Sequence, residues 1–88
     1  MDRKSVVRAT SLNSSINYRE HDLKDIQYYE KHYFDYPIEV RLKRSSGLGG
    51  IATNLFLRDD KVKKEILNII KIHFVAEIQR MEKELEEL

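Results

Sequence analysis

Apolar and charged residues alternate from Ile38 to Lys43, with Ile38, Val40 and Leu42 set against Glu39, Arg41 and Lys43. This period of two predicts a half-buried strand. The segment Ser45-Ser46-Gly47-Leu48-Gly49-Gly50 turns the chain and holds all three of its glycines, residues that permit a sharp turn because they tolerate positive φ. Beyond it Ile51, Thr53, Leu55 and Leu57 share one face, with Ala52, Asn54, Phe56 and Arg58 on the other. The two runs predict an antiparallel hairpin over 37–44 and 51–58.

Helical spacing flanks the hairpin on both sides. Leu23, Ile26, Tyr29 or Glu30, and Tyr33 lie along one helical face, and Asn17 and Glu20 have capping-box spacing. Pro37 disfavours α conformation in the residue before it, which predicts a helix near 18–34. After Asp59-Asp60 the apolar positions Leu67, Phe74, Ile78, Met81, Leu85 and Leu88 predict a second, longer helix near 60–87. Residues 1–16 are the least patterned: Ser5 to Thr10 suits a short strand on the hairpin edge, and Ser11-Leu12-Asn13-Ser14-Ser15 suits a turn. The expected fold class is therefore α+β. It comprises an antiparallel hairpin of two strands, or three with residues 5–10, packed with one short helix and a long C-terminal amphipathic helix. One small domain over 1–88 is expected. Its core draws on Leu23, Ile26, Tyr33, Ile38, Val40, Leu42, Leu55, Leu57, Ile66, Ile70, Phe74 and Ile78.

Length turns the last helix into an argument about assembly. A helix over 60–88 spans about 43 Å, whereas a compact chain of 88 residues has a diameter near 30 Å. The apolar stripe Phe74, Ile78, Met81, Leu85 and Leu88 continues past that limit, so residues 74–88 are expected to serve as a dimerisation segment. Glu77, Glu82 and Glu84 would repel one another in a parallel pair. An antiparallel homodimer would bring Lys61, Lys63, Lys64 and Lys71 near the acidic end. A helix that bends or frays after residue 80 is the plainer alternative.

Charge is segregated although the net is only +1. Residues 36–80 carry nine basic against five acidic side chains, while 81–88 carry Lys83 against Glu82, Glu84, Glu86 and Glu87. The basic group Arg41, Lys43, Arg44, Arg58, Lys61, Lys63 and Lys64 is the candidate nucleic-acid surface, because a two-stranded ribbon fits a major groove and phosphate contacts need only lysine and arginine. A solvated sheet edge, kept from aggregating by its charge, accounts for the same residues without a ligand. The second candidate surface is aromatic. Tyr18, Tyr28, Tyr29, Tyr33, Phe34 and Tyr36 crowd a stretch that one helix face cannot bury. Packing of Tyr29, Tyr33 and Phe34 on the sheet is the plain account of this cluster. The functional account is an exposed contact for a protein, with Tyr28 and Tyr36 at the interface, or a stacking platform for unpaired bases, and the acidic neighbours Asp22, Asp25, Glu30 and Asp35 favour the protein.

Catalytic and metal chemistry find little support. No cysteine is present, which removes thiolate nucleophiles, thiolate metal sites and disulfides. His21 and His32 share a helical face but stand about 16 Å apart, and His21 with Asp25 makes only two ligands at i and i+4. Restriction-like nucleases place an acidic residue ahead of Glu-x-Lys, whereas here Asp35 precedes Glu39-Val40-Arg41 at short range without the lysine. The glycine loop lacks the spacing of a phosphate cradle. No catalytic residue, metal or cofactor is expected. Met1-Asp2-Arg3-Lys4 leads into no apolar segment, so no signal peptide, membrane partner or secretion is expected, and the location expected is the cytoplasm, the host's for a viral protein.

The order helix, strand, strand, helix, with lysines opening the last helix, resembles that of double-stranded RNA-binding domains. The resemblance covers the order of elements alone. A third strand after residue 58 and a histidine in the hairpin loop are missing, and no function is carried across. Usage rich in Ile, Lys, Asn and Tyr together with small size fits a viral or mobile-element protein. The first functional expectation is a small non-enzymatic nucleic-acid-binding or regulatory protein that grips DNA or RNA backbone through the basic hairpin as a homodimer. The alternative is an interaction module that inhibits or modulates a host enzyme or defence complex through its Tyr-rich helix and acidic surface.

Overall fold

A computed structural model of the chain describes residues 2–42 and 53–88. Helix α1 runs Arg3–His32, strand β1 Ile38–Leu42, strand β2 Thr53–Leu57 and helix α2 Asp60–Glu86. The α+β class, the antiparallel hairpin and the long C-terminal helix are present. The strand expected at 5–10 and the turn at 11–15 are not, because both lie inside α1. The expected short helix over 18–34 is the second half of this 30-residue helix.

α1 starts at Asp2 rather than Asn17. The Asp2 carboxylate accepts from the Ser5 amide at 2.7 Å, satisfying one of the free donors of the first turn. From there Ser5, Ala9, Leu12, Ile16, Arg19, Leu23, Ile26 and Glu30 follow alternating steps of four and three, and each is buried or half-buried. That is the seam of an antiparallel coiled-coil pair. Its complement on α2 includes Lys63, Leu67, Ile70, Lys71, Phe74, Glu77, Ile78, Met81, Glu84 and Leu85, all buried or half-buried. Leu12, Ile16, Leu67 and Ile78 are the buried apolar side chains. Of the expected core, Ile78 holds this place. Tyr33, Leu42 and Leu55 are exposed instead, because the core lies between the helices and not between helix and sheet.

Three ion pairs set the register of the helices. Arg8 Nη2 lies 2.7 Å from Glu84 Oε1, Arg19 Nε 2.5 Å from Glu77 Oε2, and Lys71 Nζ 2.9 Å from Glu30 Oε1. Each contributes little alone, but together they reject a helix slipped by one turn. The hydrogen bonds that the Arg19 guanidinium donates to the carboxylates of Glu77 and Asp22 raise its pKa above the already high ordinary value. The positive neighbours sought by the acidic end of α2 thus come from α1 of the same chain, not from a second copy's lysines.

The hairpin stands apart from this pair. Ile38 pairs with Leu57, Val40 with Leu55 and Leu42 with Thr53, and the ribbon makes only marginal contact with the helices. A radius of gyration of 17.1 Å and extents of 49 × 39 × 17 Å describe an elongated body with a lateral arm, against about 12 Å for a compact chain of this length. Expected packing of the hairpin on the helices is therefore corrected: α1, longer than anticipated, occupies the α2 stripe that the sheet would have covered.

The Asp2 cap yields a pH prediction. Its carboxyl sits below the usual value, first through the Ser5 backbone amide, then through the Ser5 side chain and the Lys4 amide. A depressed carboxylate contributes stability that is present above its unfolded value, and that contribution is lost as pH falls through the folded one. Amide exchange at Ser5 should therefore accelerate as pH drops below about 4, beyond the intrinsic rate change. Asp2→Ala should show fast exchange at neutral pH as well, and equal protection in the variant would exclude the cap.

Candidate protein-interaction site

Where α1 ends and β1 begins, four aromatic rings stand in a connected exposed row. Tyr28 and His32 are one helical turn apart, which brings their ring centroids to 4.5 Å. Tyr33 lies 5.7 Å from Tyr28 and 5.8 Å from Tyr36. These separations and their tilted ring planes are those of favourable aromatic pairs. Tyr28 is 57% exposed, Tyr33 46% and Tyr36 63%. α1 ends at His32 with Tyr33 as its C-cap, and Pro37 keeps Tyr36 out of α conformation as the chain enters β1.

Beneath the row a polar anchor fixes the corner. Lys63 is the one buried charged side chain among the described residues, with only 1% of its surface exposed. Its ammonium donates to the Phe34 carbonyl and, at 3.3 Å, to the Tyr36 carbonyl. It also lies 3.4 Å from Asp60 Oδ1 and 4.3 Å from the centre of the Phe34 ring. Tyr29 donates its hydroxyl to the same Tyr36 carbonyl. Tyr29 and Phe34 are thus half-buried supports, packed under the turn and not on the sheet, while Tyr28, Tyr33 and Tyr36 face out.

Of the basic group, Arg41, Arg58, Lys61 and Lys64 are exposed and Lys63 is buried among the described residues. Lys63 leaves it, because its ammonium is taken up inside the corner; this corrects its assignment to phosphate binding. Lys43 and Arg44 lie outside the described residues. Arg41 is exposed on β1, with Nη2 4.0 Å from Glu39 Oε1 of the same strand, so part of its field is cancelled. Arg58, Lys61 and Lys64 are exposed at the entry to α2, where Asp59 caps the helix by accepting from the Val62 amide at 3.0 Å.

The expected dimer segment is largely covered within the chain. Ile78 is buried, and Phe74, Met81 and Leu85 are half-buried, whereas Leu88 is exposed. The Arg19 guanidinium lies 4.4 Å from the centre of the Phe74 ring. α1 thus covers most of the stripe that suggested a second copy.

His21, Asp22 and Asp25 bring one ligand atom each within 4.8 Å of one another. Asp22 is already held by Arg19 at 3.0 Å, and His21 Nδ1 lies 3.2 Å from Asp25. The exposed trio reads as a solvated helix face. No helix among the described residues is long and apolar enough to cross a membrane. Compared with known proteins, the chain matches no family model, no curated protein and no solved structure.

Two contributors escaped the sequence reading. His32 was legible, since it stands four residues after Tyr28 on a helix. Lys63 was not, because a lysine among lysines at a helix start gives no sign that it will be buried.

Proposed function

We propose that this chain is a non-catalytic protein-binding module that docks its partner at the corner formed by Tyr28, His32, Tyr33 and Tyr36. The observation that carries this reading is the connected row of exposed rings held on a buried Lys63 anchor. Tyrosine offers a large rigid surface with a polar tip at small entropic cost, and for that reason it dominates binding hot spots. Leaving three such rings in water on a chain this small is costly unless a partner covers them. The nucleic-acid alternative is weaker, since Glu39 accompanies Arg41 and the Lys63 ammonium is taken up inside the corner.

A paired experiment separates the two. Partners captured by the full chain should be lost with Tyr28→Ala/Tyr33→Ala, by about 100-fold in affinity at hot-spot values, while Arg41→Ala/Lys43→Ala/Arg44→Ala retains them. Duplex DNA and RNA are titrated alongside at about 50 mM salt and upward. Affinity that falls with a log–log slope of roughly 0.9 per neutralised phosphate, and that disappears in the triple-alanine chain but not in the double-tyrosine one, would overturn the proposal.

A further inference from the structure

The β1 strand reads Ile38-Glu39-Val40-Arg41-Leu42, a sequence that complements itself when reversed. Among the described residues the sheet has two strands, so one edge of β1 carries β2 and the other carries none. A second β1 laid antiparallel on that open edge, with the twofold axis at Val40, sets Val40 against Val40 and Ile38 against the second copy's Leu42. Glu39 then faces the second copy's Arg41, and Arg41 its Glu39. Opposite charges directly across an antiparallel pair attract, and both side chains are free to meet, at 46% and 59% exposure.

The same operation fails on β2, where Thr53 would face Leu57 and Asn54 would face Phe56. Pro37, with no N–H to donate, marks the start of the ladder and confines pairing to the five complementary residues. Because the twofold axis is normal to the sheet, Ile38, Val40, Leu42, Leu55 and Leu57 of both copies fall on one face. A two-stranded ribbon without helix cover is marginal alone, and four strands with a common apolar face are not. Unlike the α2 stripe, which α1 largely covers, this edge has no partner among the described residues.

We infer that two copies of this chain associate through the outer edge of β1, forming a continuous antiparallel sheet in the order β2-β1-β1-β2. The inference stands independently of the aromatic corner. Sedimentation equilibrium of the full chain should show a monomer–dimer exchange. Glu39→Arg and Arg41→Glu, each alone, set like charges across the interface twice and should raise the dimer dissociation constant about tenfold or more. Mixed in equal amounts, the two variants should associate again, since one strand is then wholly basic and the other wholly acidic. A disturbance confined to the Glu39–Arg41 contact within one chain would not be repaired by mixing. A wild-type chain monomeric up to about 1 mM overturns the inference and leaves the edge to an extended segment of another protein. Variants that dimerise like the wild type, or a mixture that stays monomeric, also overturn it.

Discussion

Lys63→Ala is expected to lower the unfolding free energy by about 3 kcal/mol, the larger part arising from hydrogen bonds to a charged donor lost in a buried site. For a chain of this size that corresponds to a fall of about 15 °C in Tm. The cause is the corner. Once the ammonium is gone the Phe34 carbonyl has lost its donor, whereas the Tyr36 carbonyl retains the Tyr29 hydroxyl. The ion pair with Asp60 contributes little, since that carboxylate is 69% exposed. Lys63→Met separates charge from packing. It restores most of the side-chain volume but no donor, so it should recover about 1 kcal/mol of the loss and no more. The exposed neighbours provide the control, with Lys61→Ala and Lys64→Ala expected within about 0.5 kcal/mol of the wild type. Urea unfolding followed by circular dichroism measures all four. A Lys63→Met chain that unfolds like Lys61→Ala would show that the buried ammonium does not hold the corner. Because the same carbonyls position Tyr33 and Tyr36, partner affinity should fall with Lys63→Met even below its unfolding transition.

How much of this was legible in the sequence depends on how strongly each segment is patterned. The hairpin was readable because β1 alternates without a break, whereas Phe56 interrupts the pattern in β2 and the register Ile38–Leu57 to Leu42–Thr53 emerges only in the structure. The second helix was readable from its apolar stripe. The first half of α1 was not, although its four-three spacing is continuous from Ser5 to Glu30. Ser5, Ala9, Arg19 and Glu30 occupy half of that seam, and these side chains dilute the hydrophobic period that reveals a helix. Val6-Val7 and Ser11 to Ser15 add a local preference for strand and turn. Packing against α2 overrides both, since most helical stability in a protein comes from a buried face and not from propensity. The expected dimer segment rested on the same omission: with α1 too short by half, the α2 stripe had nothing in its own chain to cover it. The candidate corner was half legible. The tyrosines were visible as a cluster, but their division into supports (Tyr29) and exposed rings (Tyr28, Tyr33, Tyr36) depends on a lysine buried from the other helix. Apolar residues between 66 and 78 occupy more than one side of α2, yet α1 covers one side only, and Ile69 and Ile72 remain 57% and 68% exposed.

Leu12→Ala should then be the most destructive change in the part of the chain that its own sequence describes least. Leu12 is 3% exposed in the seam, and truncating a buried leucine costs about 2–5 kcal/mol in transfer and cavity terms. A body this elongated buries little for its length, and its total stability belongs near the lower end of the usual range, about 5 kcal/mol. A loss of about 3 kcal/mol would leave about 2 kcal/mol, with roughly 3% of molecules unfolded at 25 °C against about 0.02% for the wild type. Val7→Ala, on the solvent side of the same helix at 63% exposure, should cost no more than about 0.5 kcal/mol. The contrast is diagnostic: if residues 3–16 formed a loose strand or turn, the two substitutions would behave alike. Removing residues 1–16 extends the test to assembly. Ile78, Met81 and Leu85 would lose their cover, and the antiparallel association of α2 ends that the intact chain has no need of should become favourable. Light scattering should report a larger particle for the truncated chain than for the full one, now joined through residues 74–88. A truncated chain that retains both its size and its melting temperature would exclude the helical pairing of α1 with α2.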